Sequence, residues 1–224
     1  VGDLDGKTLP MVQTYREAIT CEVFREAVFA GKHTPLIFGD PETWVASMLQ
    51  ALSLSADGKH AQAQELREAA FEDAPAVDGS IDGASFEWLA DADSRLGPIL
   101  EAIVNGKYYW IPMHRIARIS IEEPEDLRDQ VWTPAYFTWV NGGDSPGLIP
   151  TRYPGSAQSD DSRVRLSRLT DWSEVADGVF HGSGQRLFAT DSGDTPVMDA
   201  RQIQWNHPDA EPQDGSADPA ATDG

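Results

Sequence analysis

The stretch from residue 80 to residue 112, SIDGASFEWLADADSRLGPILEAIVNGKYYWIP, constrains the fold more than any other part of the chain. Its first residues predict a strand, a turn and a second strand, with Asp82-Gly83 at the turn, because these residue types suit a tight hairpin. Near its end, Tyr108 to Ile111 is aromatic and predicts another strand. Such a density of apolar and aromatic residues predicts a packing nucleus without chemistry of its own.

Between these strands, apolar residues recur at helical spacing. They fall at i, i+3, i+4, i+7 and i+8, which predicts a short amphipathic helix. Gly97-Pro98 suits the first turn, because proline lacks an amide that this turn could not use. Asn105-Gly106 suits the end of the helix, since both residues tolerate a left-handed conformation. The apolar positions are Leu96, Ile99, Leu100, Ile103 and Val104.

Three helices are predicted before this stretch. The first covers residues 9–30, the second begins at Asp40-Pro41 and ends near Asp57-Gly58, and the third runs from residue 59 to 73. The second and third helices resemble one tetratricopeptide repeat in the placement of their small residues and of the proline that follows. One repeat cannot bury its own faces, so we expect residues 1–76 to be part of a longer, tetratricopeptide-like superhelix.

The rest of the chain predicts a sheet and a tail. Residues 77–206 contain short runs of alternating apolar and polar residues separated by turns, which predicts an α+β domain with a mainly antiparallel sheet. Residues 207–224 are rich in acids, proline, alanine and glycine and contain no large apolar residue, so we expect a disordered acidic tail. The predicted fold class is therefore α+β, with an all-α part first.

Composition limits the compartment and the partners. The formal net charge is -20, and acidic proteins repel phosphate, so we expect neither nucleic acid nor an anionic membrane as a partner. A mean hydropathy of -0.40 without a long apolar run predicts no transmembrane helix. Cys21 is the single cysteine and permits no intrachain disulfide. Together with an N-terminus unlike a signal peptide, it favours the cytoplasm.

One acidic cluster is a candidate for chemistry. Glu87, Asp91 and Asp93 could act as acid and base or hold a divalent cation. Acids before a helix also stabilise its N-terminus, and Arg95 can neutralise one of them; we favour this structural interpretation. The five histidines are scattered without metal-ligand spacing, so we predict no catalytic residue, metal site or cofactor.

Four segments give the chain a resemblance to a known family. It resembles the ImpE family, accessory proteins of bacterial type VI secretion, in an ordered match that extends from residue 9 to about residue 205. That family usually carries further tetratricopeptide-like helices before the position of Leu9, so the resemblance implies that such helices are missing here. The segments are LPMVQTYREAITCEVFREAVFAGKHTPLIFGDPETW (9–44), IDGASFEWLADADSRLGPILEAIVNGKYYWIP (81–112), PEDLRDQVWTPAYFTW (124–139) and IPTRYPGS (149–156).

The resemblance implies a non-enzymatic adaptor in the bacterial cytoplasm. Members of the family are associated with the contractile sheath through its small subunit TssB, and with the ATPase ClpV that recycles contracted sheath, so both are expected partners. A truncated superhelix exposes an apolar face, so we also expect a homodimer. Two alternatives stay open. One is a generic helical-repeat peptide-binding protein, and the other is an enzyme that uses Glu87, Asp91 and Asp93.

Overall fold

The computed structural model describes residues 8–207, and its helices precede most of its strands. The first three helices lie where the sequence predicts them, and the second packs against the third across a turn at Gly58. The described residues contain one such helix pair, so the tetratricopeptide-like superhelix is not confirmed. No helix within residues 8–207 combines the length and apolar character that a membrane span requires. The helices are α1 (Thr8–Phe29), α2 (Thr43–Ala56), α3 (His60–Asp73) and α4 (Ser162–Arg165).

Short strands make up most of the chain after α3. Many are joined by tight turns, as the spacing of glycine, asparagine and aspartate predicts. The strands are β1 (Leu36–Ile37), β2 (Gly79–Ile81), β3 (Ala84–Phe86), β4 (Leu89–Asp91), β5 (Ile99–Val104), β6 (Lys107–Pro112), β7 (Ile116–Ile121), β8 (Trp132–Trp139), β9 (Asp144–Pro150), β10 (Thr170–Ala176), β11 (Val179–Gly184), β12 (Leu187–Thr190), β13 (Gly193–Pro196) and β14 (Gln202–Trp205).

In the described part of the chain these strands form one large sheet and two small ones. The large sheet has the order β1-β6-β5-β9-β8-β7-β14-β2-β3. The short edge strand β1 is parallel to β6, and the other neighbouring strands of this sheet are antiparallel. The prediction of an α+β fold with a mainly antiparallel sheet is confirmed. The small sheets have the orders β13-β12-β4 and β10-β11.

The helix predicted over residues 96–104 is wrong, because Ile99–Val104 is strand β5. All six residues of β5 are buried, so the strand lacks the apolar and polar alternation that marks a half-buried strand. Asn105-Gly106 is the two-residue turn to β6, and both residues have positive φ, 50° and 69°. Asparagine-glycine is a strong hairpin marker, and here it decides the structure against the helical spacing.

The side chains on both faces of strand β5 are buried, because the large sheet is covered on both faces. Ile99 and Ile103 belong to a core shared with α1, α2 and α3, while Leu100, Ala102 and Val104 belong to a second core on the opposite face. The helical part therefore packs directly on the sheet. The boundary at residue 76 stays a prediction, and residues 208–224 of the predicted tail lie outside the described residues.

Candidate functional site

Two of the three acids that the alternative enzyme interpretation requires lie together, at the end of β4 and in the loop after it. Asp91 is 3% exposed and Asp93 is fully buried. Glu87 does not join them: it is exposed, and its side chain makes no hydrogen bond or ion pair with a described residue. The structure therefore does not assemble these three carboxylates into one site. Within residues 8–207, no group of three or more histidine, cysteine, aspartate or glutamate side chains is placed to hold a metal ion.

The carboxylate of Asp93 accepts hydrogen bonds from an arginine and from backbone amides. Its two oxygens accept from Arg95 Nε at 2.9 and 3.0 Å, and its Oδ2 accepts from the Gly182 amide at 2.8 Å. Burial opposes ionisation of the carboxyl, but Arg95 and these amides outweigh it and lower the pKa of Asp93. The predicted pairing with Arg95 and the capping of free amides are present. The amides that Asp93 caps belong to a loop and to β11, however. The helix that the acids were expected to cap is strand β5.

A chain of buried charges connects α1 to the large sheet and to the small sheet that contains β4. Glu101, in the middle of β5, accepts from Arg25 Nε at 2.6 Å and from Arg25 Nη2 at 2.9 Å. Its Oε2 also accepts from Arg186, which extends through a second nitrogen to Asp91. Tyr108 donates its hydroxyl to Glu101. We call Arg25, Asp91, Glu101 and Arg186 the buried charge network. A buried charge costs least when it is paired, and each of these four is paired.

The two acids of the buried charge network differ in their pKa values. Burial disfavours the charge on Glu101, but Arg25 and Arg186 outweigh that effect and lower its pKa to about 2. Burial dominates at Asp91 and raises its pKa to about 7, although Arg186 opposes the shift. Glu101 is therefore the permanent anion between two permanent cations, and Asp91 is the carboxyl that can take up a proton near neutral pH.

A groove of about 460 Å³ opens beside β4, between the end of α3 and the large sheet. Trp88 stands at its rim and is 42% exposed, and Asp91 forms part of its wall. Gly97 has a φ of 52°, and a Cβ there would lie 2.4 Å from the ring of Phe71. Only glycine therefore allows the backbone to approach the Phe71 ring this closely in the wall of the groove. A largely apolar groove of this size suits apolar side chains of a ligand or peptide. Its apolar lining includes Phe71, Pro75, Trp88, Pro98, Met113 and Trp205.

A third cluster of polar side chains lies between α3 and β11. The rings of His60 and His181 meet edge to face with centroids 5.6 Å apart. His60 Nδ1 and His181 Nε2 are buried without a hydrogen-bond partner among the described residues. Burial and the nearby Arg95 lower the pKa of His181 to about 4, so its ring is neutral at pH 7. Histidines that looked scattered in the sequence thus form one pair, although without the further ligands that a metal needs.

Known proteins match most of the chain. The family model described as ImpE protein matches residues 83–204. The type VI secretion system accessory component TagJ of Pseudomonas aeruginosa is 51% identical over 210 residues, covering 94% of this chain and 73% of that protein. The chain belongs to the ImpE family. The resemblance that the four sequence segments indicate is confirmed.

A solved structure supports the fold of this ImpE family member. The crystal structure of protein VPA1032 from Vibrio parahaemolyticus superposes with a TM-score of 0.80, covers 90% of this chain and is itself covered to 75%. The two sequences are 24% identical, so the likeness shows the fold alone. Asp91, Glu101 and Arg186 all lie within the segment that the ImpE model matches, whereas Arg25 precedes it.

The sequence alone missed the partners of the ImpE chain's buried acids. Arg186 pairs with Asp91 across 95 positions, and Arg25 pairs with Glu101 across 76 positions. Glu101 nevertheless left a trace in the sequence, because it is a single acid inside the run of apolar residues that forms β5. A lone acid in such a run needs a polar partner when it is buried, so a buried partner was predictable although its identity and position were not.

Proposed function

We propose that this chain is a non-enzymatic accessory protein of a bacterial type VI secretion system and acts in the cytoplasm. The observation that carries the proposal is the 51% identity to TagJ, which extends over 94% of this chain. Identity of this extent covers the large sheet, the buried charge network and the groove together. It supports a shared accessory role.

The chemistry of the site favours binding over catalysis. Asp93 and Glu101 are committed to arginines, and Asp91 is paired with Arg186. A general base needs a free lone pair within reach of its substrate, and a metal needs several uncommitted ligands. Of the titratable residues that line the groove, Asp91 is paired with Arg186 and His114 with Glu42. The groove also offers an apolar surface beside an exposed tryptophan, and tryptophans are frequent anchors of protein interfaces.

We propose that the groove binds an apolar segment of the sheath subunit TssB, and that the chain thereby assists the ATPase ClpV in recycling contracted sheath. Its dimensions suit a few large side chains of a helix or an extended segment. Trp88 would cover the bound segment from the rim. The groove lies at the junction of α3 and the sheet, so both parts of the chain contribute to binding.

A binding assay with purified components tests this function. The chain is immobilised and exposed to TssB-TssC sheath and, separately, to ClpV from the same organism. We expect sheath to be retained and Trp88→Ala to weaken retention at least tenfold, as for an anchoring tryptophan. The matched control is Trp172→Ala, because Trp172 is 37% exposed but lies on β10, outside the groove.

Three results distinguish the parts of the proposal. Retention by the parent chain that is lost only in Trp88→Ala supports both the accessory role and the groove. Equal retention by both tryptophan variants keeps the sheath as a partner but removes the groove as its site. No retention of sheath or ClpV by the parent chain contradicts the proposed partners.

A further inference from the structure

The groove beside β4 is bordered by exposed acidic side chains. Four of them directly precede or follow a lining residue in the sequence. A fifth, Asp191, joins them because its carboxylate accepts from the amide of Glu87 at 2.7 Å, next to Trp88. None of the five forms an ion pair with a described residue. We call them the rim acids: Glu72, Asp73, Asp78, Glu87 and Asp191.

Within the described part of the chain, the groove has no free cation to balance the rim acids. Neither a lysine nor an arginine is among its described lining residues. Arg95 adjoins the lining, but it is paired with Asp93. Arg115 also adjoins it, but it is paired with Glu42. Burial lowers the pKa of the lining residue His114, so its ring is mainly neutral at pH 7. A net negative charge therefore surrounds an apolar interior.

Two of the rim acids oppose the stability of the helix that carries them. Glu72 and Asp73 lie in the last turn of α3, where free carbonyl groups give a helix a partial negative charge. An acid in this position is repelled, and this turn contains no base. Neither side chain forms a hydrogen bond with a described residue that would offset the repulsion. Capping and ion pairing, which account for Asp93, do not account for these two acids. A cation bound at the groove would relieve the repulsion.

We propose that the groove takes a cationic amphipathic segment, in which lysine or arginine side chains flank the apolar residues. The inference rests on the proposed function, because it names the chemistry of the segment that the groove would bind. The apolar side chains would enter among Phe71, Trp88 and Trp205, while the flanking basic side chains extend back to the rim acids. Opposite charges around an apolar contact fix its orientation and speed association. Lysine and arginine suit a rim, because their stems cover apolar surface while the charge stays in water.

Other occupants from the same protein lack this chemistry. The chain continues from Trp205, which lines the groove, into residues 207–224. That segment contains five acids, no lysine or arginine and no large apolar residue. It would bring like charges to the rim acids and nothing apolar to the interior. A second copy of the chain also has a formal net charge of -20. The occupant is therefore a different protein of opposite local charge.

Fluorescence anisotropy with labelled peptides tests the charge of the ligand. The probes are designed amphipathic helical peptides that share one pattern of leucines and carry lysine, glutamine or glutamate at the flanking positions. The lysine peptide should bind the parent chain at least tenfold more tightly than the glutamine peptide, and the glutamate peptide should bind most weakly. Trp88→Ala should weaken the lysine peptide, which shows that it lies in the groove.

Reversing the charge of the rim tests the acids directly. The rim variant carries Glu72→Lys, Asp73→Lys and Glu87→Lys, because these three side chains form no hydrogen bond with a described residue. It should bind the lysine peptide at least tenfold more weakly and the glutamate peptide more tightly. Raising the salt concentration from about 0.1 M to about 1 M shortens the Debye length from about 10 Å to about 3 Å. The parent chain should then lose its preference for lysine over glutamine.

A control variant of equal net charge separates the rim from the acidity of the whole chain. It reverses three exposed acids that neither line nor adjoin the groove, and it should bind all three peptides like the parent. Its changes are Asp144→Lys, Asp160→Lys and Asp177→Lys.

The inference and the proposed function fail in different ways. If TssB-TssC sheath is retained through Trp88 equally well by the parent chain and the rim variant, the inference is overturned and the proposed function remains. If the lysine peptide depends on both Trp88 and the rim acids while sheath is not retained, the inference is supported and the proposed partner is contradicted. The inference is also overturned if no peptide binds, if the lysine and glutamine peptides bind the parent equally, or if the control variant loses as much affinity as the rim variant.

Discussion

Two buried arginines in this protein have opposite surroundings, although Arg186 and Arg67 are both fully buried. Arg186 donates to Asp91, to Glu101 and to the Pro150 carbonyl at 3.0 Å. Arg67 donates to Ser55, while its Nε and Nη1 have no hydrogen-bond partner in the described residues. Complete burial therefore does not indicate how much a charged side chain stabilises a fold. Its contribution depends on the hydrogen-bond and ion-pair partners that surround it.

The pKa values record the same contrast. The acids around Arg186 outweigh its burial and raise its pKa. Burial dominates at Arg67 and lowers its pKa to about 10, since Asp93 compensates only in part and Arg95 adds repulsion. Arg186 thus belongs to a closed set of partners that fixes α1 on the sheet. Arg67 lies in a looser layer with His60 and His181.

Removing the charge of Glu101 should give the largest effect. Glu101→Gln keeps the shape of the side chain but leaves Arg25 and Arg186 without their shared anion, so we expect a loss of about 3–5 kcal/mol in the free energy of unfolding. Urea denaturation measures it. The control is Glu87→Gln, which changes an exposed carboxyl and should stay within about 0.5 kcal/mol. A loss below about 1 kcal/mol for Glu101→Gln would show that the network does not stabilise the fold.

Acid should weaken the looser layer through His181. The unfolded ring titrates near 6.5 and the folded ring near 4, so the unfolded chain binds more protons between these values. The free energy of unfolding should therefore fall as the pH falls from about 6.5 to about 4, by about 1–2 kcal/mol after allowance for the solvent-exposed part of the ring. The measurement is urea denaturation of the parent chain and of His181→Phe at several pH values. If the free energy of unfolding changed with pH in the same way for both proteins, the lowered pKa of His181 would not be the cause of the acid sensitivity.

Replacing Arg67 should have the smallest effect. Arg67→Met removes a buried cation that has few partners and keeps most of its volume, so we expect a change within about 1 kcal/mol, or a small gain in stability. Arg186→Met is the matched comparison and should cost several times more, because it leaves Asp91 buried without its cation and removes one of the two cations that pair with Glu101. Equal losses from the two variants, measured by thermal unfolding, would remove the distinction between the two arginines.

The sequence predicts those parts of the fold that short-range patterns determine. The hairpin around Asp82-Gly83 is confirmed, with β2 and β3 on either side, and so are the first three helices. Strand β5 was mistaken for a helix because burial on both faces removes the alternation of a strand and leaves a continuous apolar run. Such a run fits helical spacing by chance, and the Asn105-Gly106 turn was the better guide.

The candidate site was less accessible to prediction because it depends on distant contacts. The groove joins Phe71, Trp88 and Trp205, which lie on elements far apart in the chain. Arg95 was predictable as a partner of Asp93, since the two lie two positions apart in one loop. The pairing of His60 with His181 has no local pattern at all and follows from the position of the β10-β11 hairpin against α3.

The position of β14 gives the fold a mechanical polarity. This strand lies inside the large sheet, hydrogen-bonded to β7 on one side and β2 on the other. A force applied beyond Trp205 would have to extract an interior strand and break two ladders together. A force applied ahead of α1 would instead load the packing of a helix on the sheet and the pairing of Arg25 with Glu101. The two ends of the fold would therefore be loaded differently, one through backbone hydrogen bonds of an interior strand and the other through side-chain contacts of a helix.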